Sequence, residues 1–228
     1  MIEFQDASVV APGTNVRILE PTTLTLAERR VAIIGANGSG KSTLARLING
    51  LVLPSTGSVT VEGHDTRRNG AAVRRAVGFL FTDASAQLIM PTAGEDVALS
   101  LRRTVKGRDE RARAAAAALE SIGLGDKGGV SVHALSGGQR QLLALAGVLA
   151  VAPSIIVADE PTTLLDLRWR AHVDALLAGL DQQLIEVTHD LDAASRADRV
   201  IVMDSGAVAF DGRPRAAVAA YRRLMAGT

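Results

Sequence analysis

The stretch GANGSGKST at residues 35–43 combines the residue types that bind a polyphosphate. Its glycines allow tight backbone angles and let amide groups approach phosphate oxygens closely. The spacing G-x-x-x-x-G-K-[ST] predicts that Lys41 holds the β- and γ-phosphates of a nucleoside triphosphate and that the Ser42 hydroxyl ligates Mg²⁺. An apolar run precedes the loop and a helix-forming run follows it. These flanking runs favour a phosphate-binding loop over a glycine-rich turn that matches the pattern by chance. The residues predicted to bind the nucleotide are Asn37, Gly38, Ser39, Gly40, Lys41, Ser42 and Thr43.

Two adjacent acids end the apolar run IIVADE, and a histidine ends the run LIEVTH. A carboxylate at the tip of a buried strand suits water-mediated Mg²⁺ binding, which is the role expected for Asp159. Glu160 is placed to polarise an attacking water as the general base. His189 follows a strand that ends at the same predicted sheet edge, where a sensor of the γ-phosphate is favoured over a purely structural histidine. The other histidines, His64, His133 and His172, are interpreted as structural.

A second anion cradle is predicted at LSGGQ, residues 135–139. Ser136 and the backbone amides of Gly137 and Gly138 lie directly before an apolar, helix-like run. A helix N-terminus offers hydrogen bonds and a favourable dipole to an anion. The chain therefore carries two phosphate-binding devices that are far apart in sequence.

These residues need a parallel sheet to position them. Alternating β-branched runs at the start of the chain and SVTVEG at 58–63 predict half-buried antiparallel strands. A helix-rich insertion is expected over 84–150, including a solvated helix over 108–123. The last part of the chain indicates a strand, a Ser-Gly turn, a return strand and a helix. Continuous apolar runs predict three buried parallel strands, at 30–35, 154–160 and 184–189.

The composition excludes several classes of function. Lys and Arg number 25 against 24 Asp and Glu, so there is no electrostatic case for a nucleic-acid partner. Cysteine is absent, which excludes disulfides and thiolate metal sites. The N-terminus lacks a signal-peptide pattern. The apolar run at 142–158 is interrupted by proline and serine, so we expect a buried helix leading into a buried strand in a soluble protein.

Five motifs occur in one order along the chain: GANGSGKST, LSGGQ, IIVADEPT, LLD at 164–166 and THD at 188–190. With these motifs the chain resembles the ATP-binding cassette (ABC) family over essentially its whole length. The resemblance implies an α/β fold, with a RecA-like P-loop NTPase core, an antiparallel β subdomain and an inserted α-helical signature subdomain. It implies a single nucleotide-binding domain over 1–228, with the core and β subdomain at 1–82 and 151–228 and the helical subdomain at 83–150.

The same resemblance explains the two cradles. In the family, two subunits pack head-to-tail, and the signature of one closes over the γ-phosphate held by the other. Ser136, Gly137, Gly138 and Gln139 would thus bind ATP in trans, with Asp166 at the dimer interface. The dimer is expected to close on two ATP molecules with Mg²⁺ and to open after hydrolysis, and a monomer should hydrolyse poorly.

Three positions depart from the family pattern. Thr82 stands where the family carries a glutamine that coordinates Mg²⁺ and the attacking water, and its shorter reach puts normal coupling in doubt; Asp83 is a possible substitute. Ala11 stands where an aromatic residue stacks on adenine, so we expect a raised KM for ATP and loose base selectivity. Leu142 replaces an arginine that often follows the signature, with Arg140 nearby.

The resemblance also implies partners. The segment SAQLIMPTAGEDVAL is similar to energy-coupling-factor (ECF) ATPases of vitamin and cobalt or nickel importers, where it receives coupling helices of a membrane partner. We therefore expect a peripheral motor subunit on the cytoplasmic face of the inner membrane, dimeric with itself or a homologue. A transmembrane coupling protein and a substrate-binding membrane subunit would dock near 83–98. The short chain favours biotin as cargo. The alternatives are the motor of a conventional binding-protein-dependent importer and a non-transport soluble ABC ATPase.

Overall fold

The computed structural model describes residues 1–227, which form two compact units. The larger unit contains Met1–Val77, Ser154–Asp159 and the chain from residue 182 onwards. The smaller unit contains Gly78–Pro153 and Glu160–Asp181. The described chain combines strands and helices, which confirms the predicted α/β class.

The strands are β1 (Ile2–Val10), β2 (Arg17–Leu26), β3 (Arg30–Gly35), β4 (Thr56–Val61), β5 (His64–Asp65), β6 (Val77–Leu80), β7 (Ile155–Asp159), β8 (Gln183–Val187), β9 (Arg199–Asp204) and β10 (Ala207–Gly212). The α-helices are α1 (Lys41–Ile48), α2 (Gly70–Ala76), α3 (Ala93–Ser100), α4 (Arg108–Ser121), α5 (Gly137–Ala150), α6 (Leu167–Ala178), α7 (Leu191–Ser195) and α8 (Pro214–Ala226). Short 3₁₀ turns cover Ala84–Ala86, Leu101–Arg103, Gly125–Lys127 and Val132–Ala134.

An antiparallel sheet in the larger unit has the strand order β2-β1-β4-β5. Ile2 pairs with Val61 and Phe4 with Val59, and all four side chains are buried. Alternate residues of these strands therefore share one buried face, which is the reason for the alternating pattern in the sequence. The predicted antiparallel strands are confirmed.

A second, mainly parallel sheet positions the nucleotide loop. Within the larger unit its strands run in the order β10-β9-β3-β8-β7. Ile33 pairs with Val187 and Val187 with Asp159, so β3, β8 and β7 end at the same edge. The central residues of β3 are at most 1% exposed, because a strand with neighbours on both sides and cover on both faces has no solvated surface. The three predicted parallel strands are confirmed.

The final hairpin joins β9 to β10 through Ser205 and Gly206. Both residues have positive φ, 47° and 82°, as a two-residue turn between twisted strands requires. The predicted strand, Ser-Gly turn and return strand are thus confirmed. The helix α8 follows and packs on β9 through Ala217, which is fully buried.

The smaller unit is mainly helical. Its most buried helix, α5, places Leu142, Leu143 and Leu145 at no more than 1% exposure. The predicted buried helix before β7 is therefore confirmed. On α4 only Ala115 and Leu119 are buried, in agreement with the expected solvated helix. None of the helices among residues 1–227 is both long enough and apolar enough to span a bilayer.

Candidate nucleotide-binding site

The glycine loop lies between the end of β3 at Gly35 and the start of α1 at Lys41. A Cβ built on Gly35 would come within 2.3 Å of the carbonyl oxygen of Met203. One on Gly40, where φ is +94°, would come within 3.0 Å of the Ile18 carbonyl. Glycine at these positions therefore allows the loop to pass close to neighbouring backbone and to turn its amides towards the helix start.

A cavity of about 160 Å³ lies at this loop. It is lined by Ile18 and by every predicted nucleotide-binding residue from Gly38 to Thr43, while Asn37 is exposed at the loop tip. Ser39 is 3% exposed, and its buried Oγ has no hydrogen-bond partner in the described structure. Since buried hydroxyls are nearly always paired, this atom and the cradle around it fit a ligand that brings hydrogen-bonding oxygens, as a phosphate does.

Lys41 is 5% exposed although it is charged. Its Nζ donates to the carbonyl oxygens of Gly35 at 2.9 Å and of Ala36 at 2.8 Å. The ammonium group therefore lies inside the curve of the loop, where it compensates the carbonyl dipoles. The positive end of the α1 dipole adds to its field, which makes the cavity a site for a multiply charged anion.

Ser42 and Asp159 come together although they are distant in sequence. The Ser42 hydroxyl donates to Oδ1 of Asp159 at 2.8 Å, and Asp159 is 1% exposed. A hydroxyl beside a carboxylate is the kind of oxygen pair that Mg²⁺ takes together with substrate phosphates and water. The residues present therefore fit that ion.

Arg46 is a site residue that the sequence reasoning missed. Its Nη2 donates to Oδ2 of Asp159 at 3.2 Å, so the buried carboxylate is held by a hydroxyl and a guanidinium. Ser42 and Arg46 are four residues apart on α1 and share one face of the helix. That spacing was visible in the sequence and could have pointed to a shared acidic partner.

His189 follows β8 at the sheet edge where β3 and β7 end. His189 is exposed. The residue before it, Thr188, is buried, and the residue after it, Asp190, is the N-cap of α7. The Thr188 hydroxyl accepts from the Asp190 amide at 3.0 Å and fixes this turn. The larger unit thus contains the glycine loop, Asp159 and His189.

The LSGGQ segment begins α5 in the smaller unit. Ser136 Oγ accepts from the Gln139 amide at 3.3 Å, while Gln139 Oε1 accepts from the Ser136 amide at 2.9 Å. This reciprocal capping box fixes the first turn. The amides of Gly137 and Gly138 belong to the helix N-terminus, whose first donors lack partners inside a helix. An anion could therefore bind there.

Glu160 and Asp166 also belong to the smaller unit. Glu160 directly follows Asp159 and has a left-handed backbone, with φ of +49°. Strain at a non-glycine residue of this kind persists mainly where function needs the side chain in one direction. Oε2 of Glu160 accepts from the Thr163 hydroxyl at 3.0 Å, and Asp166 caps α6 between the exposed Leu164 and Leu167.

The segment at Thr82 is held through its neighbour Phe81. Buried Gln141 donates to the Phe81 carbonyl at 3.1 Å, and Gln87 accepts from its amide at 3.4 Å. Thr82 is half-buried, whereas Asp83 is exposed and accepts from the Ser85 amide at 2.8 Å. Asp83 is thus engaged as a cap for the following 3₁₀ turn.

The two remaining departures from the family pattern have simple surroundings. Leu142 is 1% exposed and packs in the core of its unit, while Arg140 donates to the Leu135 carbonyl at 2.6 Å. A leucine therefore fits position 142 where a charge would be buried. Ala11 lies in the turn after β1 and is half-buried, opposite Val16, to which its amide is hydrogen-bonded at 2.8 Å.

The loop geometry, with its serine–aspartate pair at the end of a parallel sheet, is that of a P-loop nucleoside triphosphatase. The capped LSGGQ helix narrows the class further. Residues 19–163 match the family described as ABC transporter, and the chain belongs to that family. It is an ABC-type ATPase, and the predicted family and fold class are confirmed.

Named relatives and solved structures agree with this assignment. The biotin transport ATP-binding protein BioM of Rhizobium etli is 41% identical over 225 residues, 99% of either chain. The energy-coupling factor transporter ATP-binding protein EcfA1 of Ligilactobacillus salivarius is 38% identical, over 94% of this chain and 78% of its own. The structure of cbiO1 from Clostridium perfringens, described as part of the ABC transporter complex cbiONQ, has a TM-score of 0.82 at 28% identity, covering 99% of this chain and 93% of its own.

A dimeric structure also resembles the chain. The ATP-binding cassette MJ0796 in a post-hydrolysis state, bound to ADP and Pi, has a TM-score of 0.83 at 30% identity. The match covers 94% of this chain and 99% of that one. An ABC cassette with this fold therefore assembles as a dimer around nucleotide.

Proposed function

We propose that this chain is the ATP-hydrolysing subunit of an ECF-type importer, working as a head-to-tail dimer on the cytoplasmic face of the cell membrane. Biotin is the lead cargo, and a transition-metal ion is the second choice. The observation that carries the proposal is the presence of two separate anion cradles, the loop ending at Ser42 and the capped helix beginning at Ser136. The relatives named for biotin and energy-coupling-factor transport support the subtype.

Each cradle is half of a site in this proposal. The loop of one chain binds the ATP phosphates through Lys41 and its amides, and the Ser136 cradle of the partner covers the γ-phosphate. The exposed Leu164 and Leu167, 66% and 84% exposed, flank Asp166 and supply apolar surface for the dimer contact. ATP completes both halves of the site, and loss of the γ-phosphate removes the contact that joins them.

The chemistry is assigned to residues at the strand ends. Glu160 accepts the proton of the attacking water, and His189 contacts the γ-phosphate. Mg²⁺, held by Ser42 and by Asp159 through water, would neutralise charge on the β- and γ-phosphates. Thr82 would contact the same water shell with a shorter side chain than glutamine offers.

The surface proposed for the membrane partner lies between residues 83 and 98. The Asp96 carboxylate is 8% exposed and accepts from the amides of Ile89 and Met90 at 2.8 and 2.9 Å. It therefore fixes a tight turn that leaves Ile89 73% exposed. A fixed, exposed isoleucine is the kind of anchor that an apolar partner helix buries.

A groove adjoins this turn inside the smaller unit. It encloses about 670 Å³ between α3 and α4 and has an apolar lining of Met90, Leu99 and alanines from both helices, together with the charged Glu95, Arg102, Arg108 and Arg111. The alanines leave room for a partner helix, and the arginines would contact its polar side. The groove and the Ile89 turn together support docking of a short helix from a membrane subunit.

The proposal is tested by purifying the tagged protein from gently solubilised membranes of its own host. Small integral membrane proteins without a periplasmic binding protein are the expected partners, and Ile89→Asp should remove them while leaving ATPase activity in place. The matched control is Leu51→Asp, which introduces the same charge at a residue that is 50% exposed in the larger unit. A permease pair with a binding protein, or only soluble partners, would overturn the ECF assignment.

A further inference from the structure

One contact in the smaller unit joins the helices that begin after Ser136 and Asp166. The indole of Trp169 lies directly against Gly138. A Cβ built on Gly138 would come within 2.2 Å of the indole Cγ and Cδ2 atoms, so no side chain fits there. Gly138 is buried and Trp169 is half-buried. The indole therefore touches the backbone of the Ser136 cradle itself.

The backbone of Trp169 is tied to the other helix start. Its amide donates to Oδ1 of Asp166 at 3.0 Å, which is the N-cap of α6. Ser136 holds the corresponding cap of α5. Trp169 thus contacts both helix starts: its main chain is bonded to the N-cap of α6, and its side chain packs on the first turn of α5.

We propose that Trp169 is a positioning residue that fixes the spacing between the Ser136 cradle and Asp166 within one chain. The inference rests on the proposed head-to-tail dimer, in which both groups face the partner subunit. They must be presented in one geometry, because misplacement by about 1 Å is enough to impair a contact that depends on orientation. An indole suits this role, since it covers a large area with only two rotatable bonds.

The contact between Trp169 and Gly138 also explains why position 138 is a glycine. Glycine is needed there because the indole occupies the place of a side chain, whereas a Cβ on the neighbouring Gly137 would meet no atom within 4 Å. Gly138→Ala should displace the indole even in the isolated monomer. Gly137→Ala should leave the monomer's indole environment unchanged, which makes the two variants a matched pair for spectroscopy.

The test compares ATP-driven dimerisation with nucleotide binding to the monomer. In a Glu160→Gln background, Trp169→Ala should weaken dimerisation at least about tenfold, equivalent to about 1.4 kcal/mol. Binding of a fluorescent ATP analogue to the monomer should stay within about twofold, because the glycine loop belongs to the other unit. Trp169→Phe keeps an aromatic ring against Gly138 and should restore part of the affinity.

The matched control is His172→Ala. His172 is exposed and meets the Trp169 ring edge-on, with ring centroids 6.1 Å apart. Its removal leaves the packing on Gly138 in place and should leave dimerisation unchanged. A loss equal to that of Trp169→Ala would overturn the inference.

Trp169 is also the one tryptophan of the chain, so its emission reports this contact directly. ATP added to Glu160→Gln should change the emission as the cradle is covered, and an unchanged spectrum on dimerisation would overturn the inference even if Trp169→Ala fails to fold. Undiminished dimerisation of Trp169→Ala, or a Trp169→Phe no better than alanine, would also overturn it. If Glu160→Gln itself stays monomeric with ATP, the proposed function fails, and the inference fails with it.

Discussion

The Ser42 hydroxyl donates a 2.8 Å hydrogen bond to the buried carboxylate of Asp159, across 117 residues of sequence. The pair exists because β3 and β7 end at the same edge of one sheet, where β3 leads into the glycine loop and β7 ends at Asp159. The sheet register therefore brings a helix-borne hydroxyl and a strand-borne acid to hydrogen-bonding distance. Both oxygens are hard ligands, which is the basis of the first prediction.

Asp159→Asn should lower nucleotide affinity in the presence of Mg²⁺ by about tenfold or more, while binding of metal-free ATP changes little. The substitution keeps the shape of the side chain but removes the charge that favours a divalent cation. Isothermal titration with and without Mg²⁺ measures the difference. The neighbouring Glu160→Gln, an equally conservative change, is the control and should retain Mg²⁺-dependent binding. Equal behaviour of the two variants would contradict the separate roles of these acids.

Glu160→Gln should bind ATP but hydrolyse it at least about a hundredfold more slowly, because a general base contributes roughly 10²–10⁴-fold to a rate. The variant should accumulate as an ATP-bound dimer, which size-exclusion chromatography with and without ATP detects. Glu186→Gln, a change in the interior of β8, is a charge-matched control for the fold. Hydrolysis by Glu160→Gln at the wild-type rate would show that another group is the base.

The shared site can be tested with mixed dimers. In the first mixed dimer, one chain carries both Lys41→Ala and Ser136→Ala, and its partner is wild type. In the head-to-tail arrangement, the doubly substituted chain contributes its defective loop to one site and its defective cradle to the other. Each site then lacks one element, so turnover should fall far below half that of the wild-type dimer.

The reciprocal mixture is the control for this experiment. A dimer with Lys41→Ala in one chain and Ser136→Ala in the other concentrates both defects in one site and leaves one complete site. It should retain about half of the wild-type ATPase rate if the two sites act independently. The ATPase rates of the two mixed dimers, each purified through a different tag on each chain, distinguish a shared site from a site within one chain. The opposite order of activities would indicate that each chain completes its own site.

The contacts of Arg199 predict that its removal lowers the stability of the fold. Arg199 is 20% exposed and donates to Asp211 at 2.5 and 2.6 Å, to Glu28 at 3.1 Å and to the Thr25 carbonyl at 2.8 Å. Arg199→Ala leaves these acceptors without their donor and should lower the free energy of unfolding by about 1–3 kcal/mol. Arg17→Ala removes the exposed pair with Glu20 and should cost no more than about 0.5 kcal/mol. Chemical denaturation of both variants and the wild type measures these changes in the free energy of unfolding.

The pH dependence of that loss follows from the same contacts. The hydrogen bonds that the Arg199 guanidinium donates to Asp211, and to a smaller extent the charge of Glu28, raise the pKa of Arg199 above its ordinary value. A group with a raised pKa contributes its full stabilisation below its unfolded pKa, and the unfolded pKa of arginine lies far above neutral pH. Titration of Arg199 therefore adds no pH dependence between about pH 6 and pH 9. A guanidinium-linked loss of stability in that range would contradict the assignment.

The parts of the fold that follow from local chemistry could be predicted from the sequence. Continuous apolar runs identified β3, β7 and β8, because strands buried on both faces leave no polar position. The Ser-Gly turn at 205–206 was visible because few residue pairs accept two positive φ angles. The glycine loop was equally clear, since its spacing and its flanking elements agree.

Contacts between residues far apart in the chain could not be predicted in the same way. The spacing of Ser42 and Arg46 suggests a shared acidic partner but does not identify it as Asp159, and no local pattern says that Trp169 covers Gly138. These contacts depend on the register of strands and the packing of helices. In sequence, Arg46 and Trp169 look like any other single residues on amphipathic helices. The family resemblance did not supply them either, since it carried over motif residues alone.

The last prediction concerns the adenine contact at Ala11. Among the described residues, Ile18 is the one hydrophobic residue that lines the nucleotide cavity, and Val16, whose carbonyl accepts from the Ala11 amide, is 64% exposed. Base stacking on an aromatic side chain contributes about 1–3 kcal/mol per base, a contribution that alanine cannot supply. The wild-type chain should therefore bind ATP and GTP with affinities within about threefold of each other, because the phosphate contacts are common to both.

Ala11→Tyr should tighten ATP binding about tenfold, and Ala11→Val, which adds bulk without a ring, is the control. Titration of the three proteins with both nucleotides measures these affinities, and tight, adenine-selective binding by the wild type would show that the base is held by other residues.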